Sequence, residues 1–113
     1  MRVVEPADYQ PKDNPHGVEV WGLLRKPEVQ VSRIELAPGQ RLKLHRTPVD
    51  ALFFVLAGRG TVTVGEEERE ATAGCLIDSP ARIPHTWRNS DREKLSVLII
   101  KIPAQTEPSE ILE

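Results

Sequence analysis

At 113 residues the chain has room for one domain with a real core and not for two. A hydrophobic fraction of 39%, a charged fraction of 28% and a net charge of -2 are ordinary for a globular protein and offer no basic field to nucleic acid or anionic lipid. No apolar run approaches the roughly 20 residues of a membrane span, and Met1-Arg2-Val3-Val4-Glu5-Pro6 holds no stretch of signal-peptide length. The expectation is a cytoplasmic protein with neither membrane nor nucleic-acid partners.

Residues 1–17 carry Pro6, Pro11 and Pro15 and read as an irregular arm. From residue 18 to residue 102, short β-rich runs alternate with glycine and proline, at 18–24, 29–36, 41–45, 52–56, 60–64, 67–72, 75–79, 85–89 and 95–102. About nine strands at such close spacing predict an all-β barrel or sandwich and no long helix. In 29–36 the apolar parity switches, from Val29 and Val31 to Ile34 and Leu36, which predicts a bulge near Ser32-Arg33. Thr61-Val62-Thr63-Val64 alternates with period two, and Gly65-Glu66 supplies the hairpin turn after it. The run 95–102 is apolar on both faces, as a central strand or one packed on a partner subunit would be. Residues 103–113 form a polar tail, expected either to close in one helical turn around 109–113 or to stay disordered. Cys75 is the only cysteine, which excludes an internal disulfide and a cysteine zinc cluster. It reads as a buried structural thiol.

Two glycine-anchored histidine segments hold most of the candidate chemistry. The first runs Gly39, five residues, His45, then Gly58; the second runs Gly74, five residues, Pro80, then His85 and Asn89. Residues two apart on a strand share a face. Lys43, His45 and Thr47 are therefore expected to point one way, and Ala51, Phe53 and Val55 to share a face beyond the Pro48 break. His85, Trp87 and Asn89 form a third such set.

These segments resemble the two motifs of the cupin superfamily, a small jelly-roll β-barrel also called a double-stranded β-helix. The family's first motif is glycine, five residues, His-x-His, three or four residues, Glu, six residues, glycine. Gly39, His45 and Gly58 stand in place, with Thr47 for the second histidine and Ala51 for the glutamate. Its second motif is glycine, five residues, Pro-x-Gly, two residues, His, three residues, Asn. Gly74, Pro80, His85 and Asn89 match, with Arg82 for the glycine. The likeness spans residues 29–102 and implies a single-domain cupin, which in this family is usually a homodimer. A weaker echo lies upstream. Asn14-Pro15-His16-Gly17 is similar to the Pro-Trp-Gly segment before the barrel in cupins of the mannose-6-phosphate isomerase type, with His16 in place of tryptophan.

In metal-binding cupins, two histidines and the glutamate of the first motif join the histidine of the second to hold Mn, Fe, Ni, Zn or Cu. Open positions remain for substrate or oxygen. Carried over, the resemblance leaves His45 and His85 as ligands of a divalent ion, since Ala51 cannot coordinate and neutral Thr47 is a poor ligand. Asp78, two residues before Pro80, is the better carboxylate to complete the shell. Asp50 is one residue out of register, and His16 would reach the barrel only if the arm folded back. Lys43, Thr47, Phe53, Arg82 and Trp87 are the candidate ligand-binding residues. Lys43 and Arg82 read either as anion ligands or as surface charges. Phe53 and Trp87 read either as pocket wall or as barrel filling, and Asn89 as a residue that satisfies loop backbone.

Two functions of different class follow. One is a metal-dependent enzyme in which His45 and His85, with Asp78 or water, act on a small polar substrate by oxygenation, isomerisation or lyase chemistry. The other is a non-catalytic, metal-free module whose pocket binds a small carboxylate or sugar phosphate. The missing glutamate and histidine favour the second as chemistry, while cupins with imperfect motifs that still bind metal keep the first open.

Overall fold

The computed structural model describes all 113 residues. One turn of 3-10 helix at Pro6–Asp8 precedes eleven strands: β1 Gln10–Pro11, β2 Glu19–Lys26, β3 Val29–Leu36, β4 His45–Arg46, β5 Asp50–Ala57, β6 Arg59–Val64, β7 Glu67–Thr72, β8 Leu76–Ser79, β9 His85–Arg88, β10 Leu95–Ile102 and β11 Glu110–Ile111. A six-stranded sheet has the order β1-β2-β3-β10-β5-β8, and a five-stranded sheet the order β11-β4-β9-β6-β7. Every pairing is antiparallel. This is an all-β fold of two sheets, as the spacing of the turns predicts, and the jelly roll that the resemblance implies.

The core lies between the sheets because period-two alternation gives each strand one apolar face. Along β5, Ala51, Phe53 and Val55 are buried, while Leu52 and Phe54 on the other face are half-buried. With Leu36, Trp87, Leu95 and Val97 they form one contiguous cluster. Strand β10 is apolar on both faces because it is central, paired to β3 on one side and β5 on the other.

Two expectations are corrected. The extra residue near Ser32 lies not in β3 but in its partner β2, where the register passes from Gly22↔Ser32 to Leu24↔Val31 and leaves Leu23 unpaired. Strand β3 itself pairs with β10 without a break. Its parity switch has another cause: Gln30, Ser32 and Ile34 all line one cavity, whose wall carries both polar and apolar residues. The tail is neither helical nor loose. Ile111 pairs with His45 and Glu110 with Arg46, and the Glu113 carboxylate accepts the Leu44 N–H at 2.8 Å.

The run 41–45 is also less regular than expected. Only His45–Arg46 is strand, and Arg41 meets Arg88 through an isolated bridge. The Leu42 N–H still donates to Trp87 O at 2.9 Å, but Lys43 turns its backbone groups to side chains, as described below.

Gly58 joins β5 to β6 with φ +84, and a Cβ there would collide with the backbone carbonyl of Lys94. Backbone atoms cannot yield as a side-chain tip can. Gly58→Ala should therefore destabilise the fold by on the order of 2 kcal/mol, measured by urea unfolding, with far-UV circular dichroism confirming that the sheets persist.

Candidate functional site

A cavity of about 410 Å³ opens between the two sheets at the end bordered by the arm and the tail. The five-stranded sheet delivers His45 and His85, which are direct cross-strand partners on β4 and β9. The six-stranded sheet delivers Ser32 and Ile34 from β3, Ala51 and Phe53 from β5, and Ile99 and Lys101 from β10. The arm adds His16 and the tail adds Ser109 and Ile111.

Hydrogen bonds assign the protons. His45 Nδ1 lies 2.7 Å from the Lys43 carbonyl, which can only accept, so His45 carries its proton on Nδ1 and offers a lone pair at Nε2. That Nε2 is 3.1 Å from His85 Nε2, which is also 3.1 Å from Thr47 Oγ1. His85 therefore donates from Nε2 and accepts the Ser79 hydroxyl at Nδ1, 2.7 Å away. His16 accepts the Lys43 N–H at Nδ1, 2.9 Å away, which leaves its own proton on Nε2.

Burial holds the rings neutral. Burial, then the neighbouring His45 charge, lowers His85 from 6.5 to about 3. The same two causes lower His16 to about 4, and burial lowers His45 as well. Ring stacking extends the arrangement from core to rim. Trp87 meets Phe53 edge-on at 5.8 Å, Phe53 meets His85 at 5.2 Å, His85 meets His45 at 4.5 Å, and His45 tilts against His16 at 4.8 Å.

Lys101 supplies the charge of the cavity's barrel wall, while the exposed Lys12 and Asp13 of the arm also line the space. Lys101 pairs across the sheet with Ala51 on one side and Gln30 on the other. Its ammonium donates to Gln105 Oε1 at 2.5 Å and takes part in none of the chain's ion pairs. Burial, then the nearby Arg25, lowers its pKa from the ordinary lysine value.

Of the residues expected at the site, His45, His85, Thr47 and Phe53 converge on this cavity. Asp78 does not. The inward residue of β8 is Ser79, so the adjacent Asp78 faces outward into a separate surface groove with Arg69 and Cys75. Asp50 accepts the Ala81 N–H at 2.8 Å and so pins the loop before His85. Lys43 is exposed and contributes its backbone rather than its ammonium. Arg82 is exposed, with φ 68, in the left-handed conformation suited to the glycine of the resembled motif. Trp87 is fully buried behind Phe53, outside the cavity wall, and its indole N–H has no partner. Asn89 donates to the carbonyls of Leu36 and Glu93 and accepts the Asp91 N–H. Cys75 is exposed, not buried, because the turn from Thr72 carries it outside β8. His16 and Lys101 were not among the expected ligands, and both line the cavity.

The family model for the cupin domain matches residues 32–101, the stretch that runs from β3 to β10 and builds most of both sheets. The chain belongs to the cupin family. Auxin-binding protein 4 of Zea mays is 31% identical over 83 residues, covering 65% of this cupin and 41% of the relative. An uncharacterized protein of Methanocaldococcus jannaschii is 31% identical over 77 residues, covering 66% of this cupin and 62% of the relative. This cupin thus spans less than two thirds of either relative's length. Among solved structures, a predicted oxalate decarboxylase from Thermotoga maritima superposes with TM-score 0.80 at 23% identity, over 91% of this cupin and 100% of that chain. The polyketide cyclase RemF from Streptomyces resistomycificus does so with TM-score 0.84 at 15% identity, over 100% and 86%. At those identities the likeness is one of fold. No helix of this cupin is long and apolar enough to cross a membrane.

Cupins often hold metals, so the donor set matters. Two imidazole nitrogens 3.1 Å apart are spaced as neighbouring ligands of one ion would be, with bonds of about 2.1 Å near a right angle. The remaining residues do not fit such an ion. No group of three or more His, Cys, Asp or Glu side chains is arranged to hold a metal. The Nδ1 of His16 is already engaged, and the Lys101 side chain lines the same cavity. Apart from the exposed Asp13 carboxylate on the arm, a dication would meet neutral donors and a like charge. Restoring the missing donors and removing that charge, in Thr47→His/Ala51→Glu/Lys101→Met, should create near-stoichiometric zinc binding that the natural chain lacks. Elemental analysis of tag-free protein checks both.

The neutral rings also set a pH dependence. His16 and His85 titrate near 4 and 3 in the fold, against an ordinary 6.5. Below about pH 6.5 the unfolded chain takes up protons that the folded chain refuses, so this stabilisation is complete above that pH and is lost as pH falls through the folded values. The melting temperature should fall as pH drops below about 6.5. His16→Gln, which removes one such ring at the rim, should flatten the fall between pH 6.5 and about 4.

Proposed function

We propose that this cupin is a metal-free receptor for a small organic carboxylate. The observation that carries the reading is the pairing of Lys101 with Ala51 on the cavity wall. A cation stands beside Ala51, the position where the resembled motif has its glutamate ligand, and no acidic side chain pairs with it. Neutral imidazoles, the Thr47 and Ser109 hydroxyls and the Lys101 ammonium are donors suited to a single negative charge. Phe53, Ile34 and Ile99 give the same space an apolar wall for a carbon skeleton. A phosphate dianion suits it less, because Arg82 lies outside and the Arg25 guanidinium is committed to Gln30 and the Gln105 carbonyl. The likeness to an auxin-binding protein supports a binding role for a small molecule.

Calorimetric titration of tag-free protein with propionate and pyruvate should detect binding that the isosteric propionamide lacks. Lys101→Met should weaken it about tenfold or more, as expected for loss of a charge-assisted hydrogen bond. Lys101→Arg, which keeps the charge, should lose less. Equal binding of acid and amide would overturn the reading.

A further inference from the structure

Lys101 is placed unlike a lysine that only attracts anions from solvent. It projects from β10, the strand held between β3 and β5, so its backbone is fixed on both sides. Its cross-strand neighbour Ala51 presents only a methyl group to the cavity. The one hydrogen bond its nitrogen makes is to the neutral Gln105 amide, which Ser109 Oγ at 3.0 Å and Glu107 O at 2.7 Å hold in place. No carboxylate pairs with it, and burial with the nearby Arg25 charge favours the uncharged amine. An unpaired, desolvated amine held rigidly against an accessible cavity is a nucleophile for carbonyl carbon. Neutral His45 and His85, joined to each other and to Ser79, line the same space and are suited to move protons.

We propose that Lys101 captures the carbonyl group of a 2-oxo acid, or of a carboxylate-bearing aldehyde, as a reversible imine. The proposal rests on the carboxylate-receptor reading and narrows its ligand class. The amine lone pair forms the C–N bond while the carbonyl π pair moves to oxygen, and that oxygen gains the proton released from nitrogen. The resulting hydroxyl is protonated by a neighbouring donor and leaves as water as the C–O bond breaks. The second nitrogen proton then returns to that donor. One amine and one carbonyl give one imine and one water, with no change of oxidation state. Once the Lys101 ammonium that first holds the ligand's carboxylate has released a proton to solvent, the carboxylate would be met by the N–H of His16, whose proton sits on Nε2, and by the Thr47 and Ser109 hydroxyls.

Incubation of the full chain with pyruvate or glyoxylate and sodium cyanoborohydride tests this. The expected result is a reduced adduct that peptide mass spectrometry maps to Lys101, with exposed Lys43 as the internal control. The adduct should be lost in Lys101→Arg while calorimetric binding of propionate persists. Adducts spread over exposed lysines, or none at all, while propionate still binds would overturn the imine and leave the receptor reading standing. Failure of propionate itself to bind would bring down both.

Discussion

An imidazole sits between two sheets at little cost only when its ring nitrogens find partners, and in this barrel the hydrogen bonds of His85 meet that condition. One ring nitrogen takes the hydroxyl of Ser79 from the facing sheet, and the other serves His45 and Thr47. The sheets are thereby joined by a polar contact at the level where apolar packing gives way to open space. Below it, Phe53 and Trp87 continue the stack into the core. Without these partners a buried imidazole would carry an unmet desolvation cost of about 1–3 kcal/mol, and this end of the barrel would favour apolar filling.

The electrostatic character of the cavity follows from one pair of wall positions. A methyl group at Ala51 and an ammonium at Lys101 face the same space from adjacent strands. Together they change the sign of the potential a guest would meet, relative to a wall bearing glutamate. The imidazoles respond by staying uncharged, each lowered mainly by its burial. A frame that in its metal-binding members gathers anionic and neutral donors around a cation here gathers neutral donors beside a cation of its own.

Much of this was legible in the residues. Alternation along 61–64, glycine and proline at the turns, and the spacing of Gly39, His45, Gly58, Gly74, Pro80, His85 and Asn89 are enough for the fold and for the meeting of two imidazoles. The site beyond them was harder to see, for physical reasons. Asp78 and Ser79 differ by one residue, and a one-residue offset exchanges the faces of a strand. The mixed parity of β3 looked like a bulge but records a wall that changes from Ser32 to Ile34. Lys101 had a signal: it is the lone charge in 95–102 and shares parity with Val97 and Ile99. His16 had a fainter one in Asn14-Pro15-His16-Gly17, where Asn14 Oδ1 accepts the His16 N–H at 3.0 Å and Gly17 adopts φ 70 to turn the arm back. Where such a turn aims its imidazole depends on tertiary contacts with Lys43, which local patterns do not encode.

The arm through His16 and the tail through Ser109 and Ile111 both border the cavity entrance, while Glu113 is anchored to Arg41 and Leu44. A recombinant extension after Glu113 would therefore emerge near the mouth rather than at a remote surface. A polyhistidine purification handle placed there would bring foreign imidazoles beside the native ones. Nickel or zinc recovered with such a preparation would report on the handle as much as on the barrel.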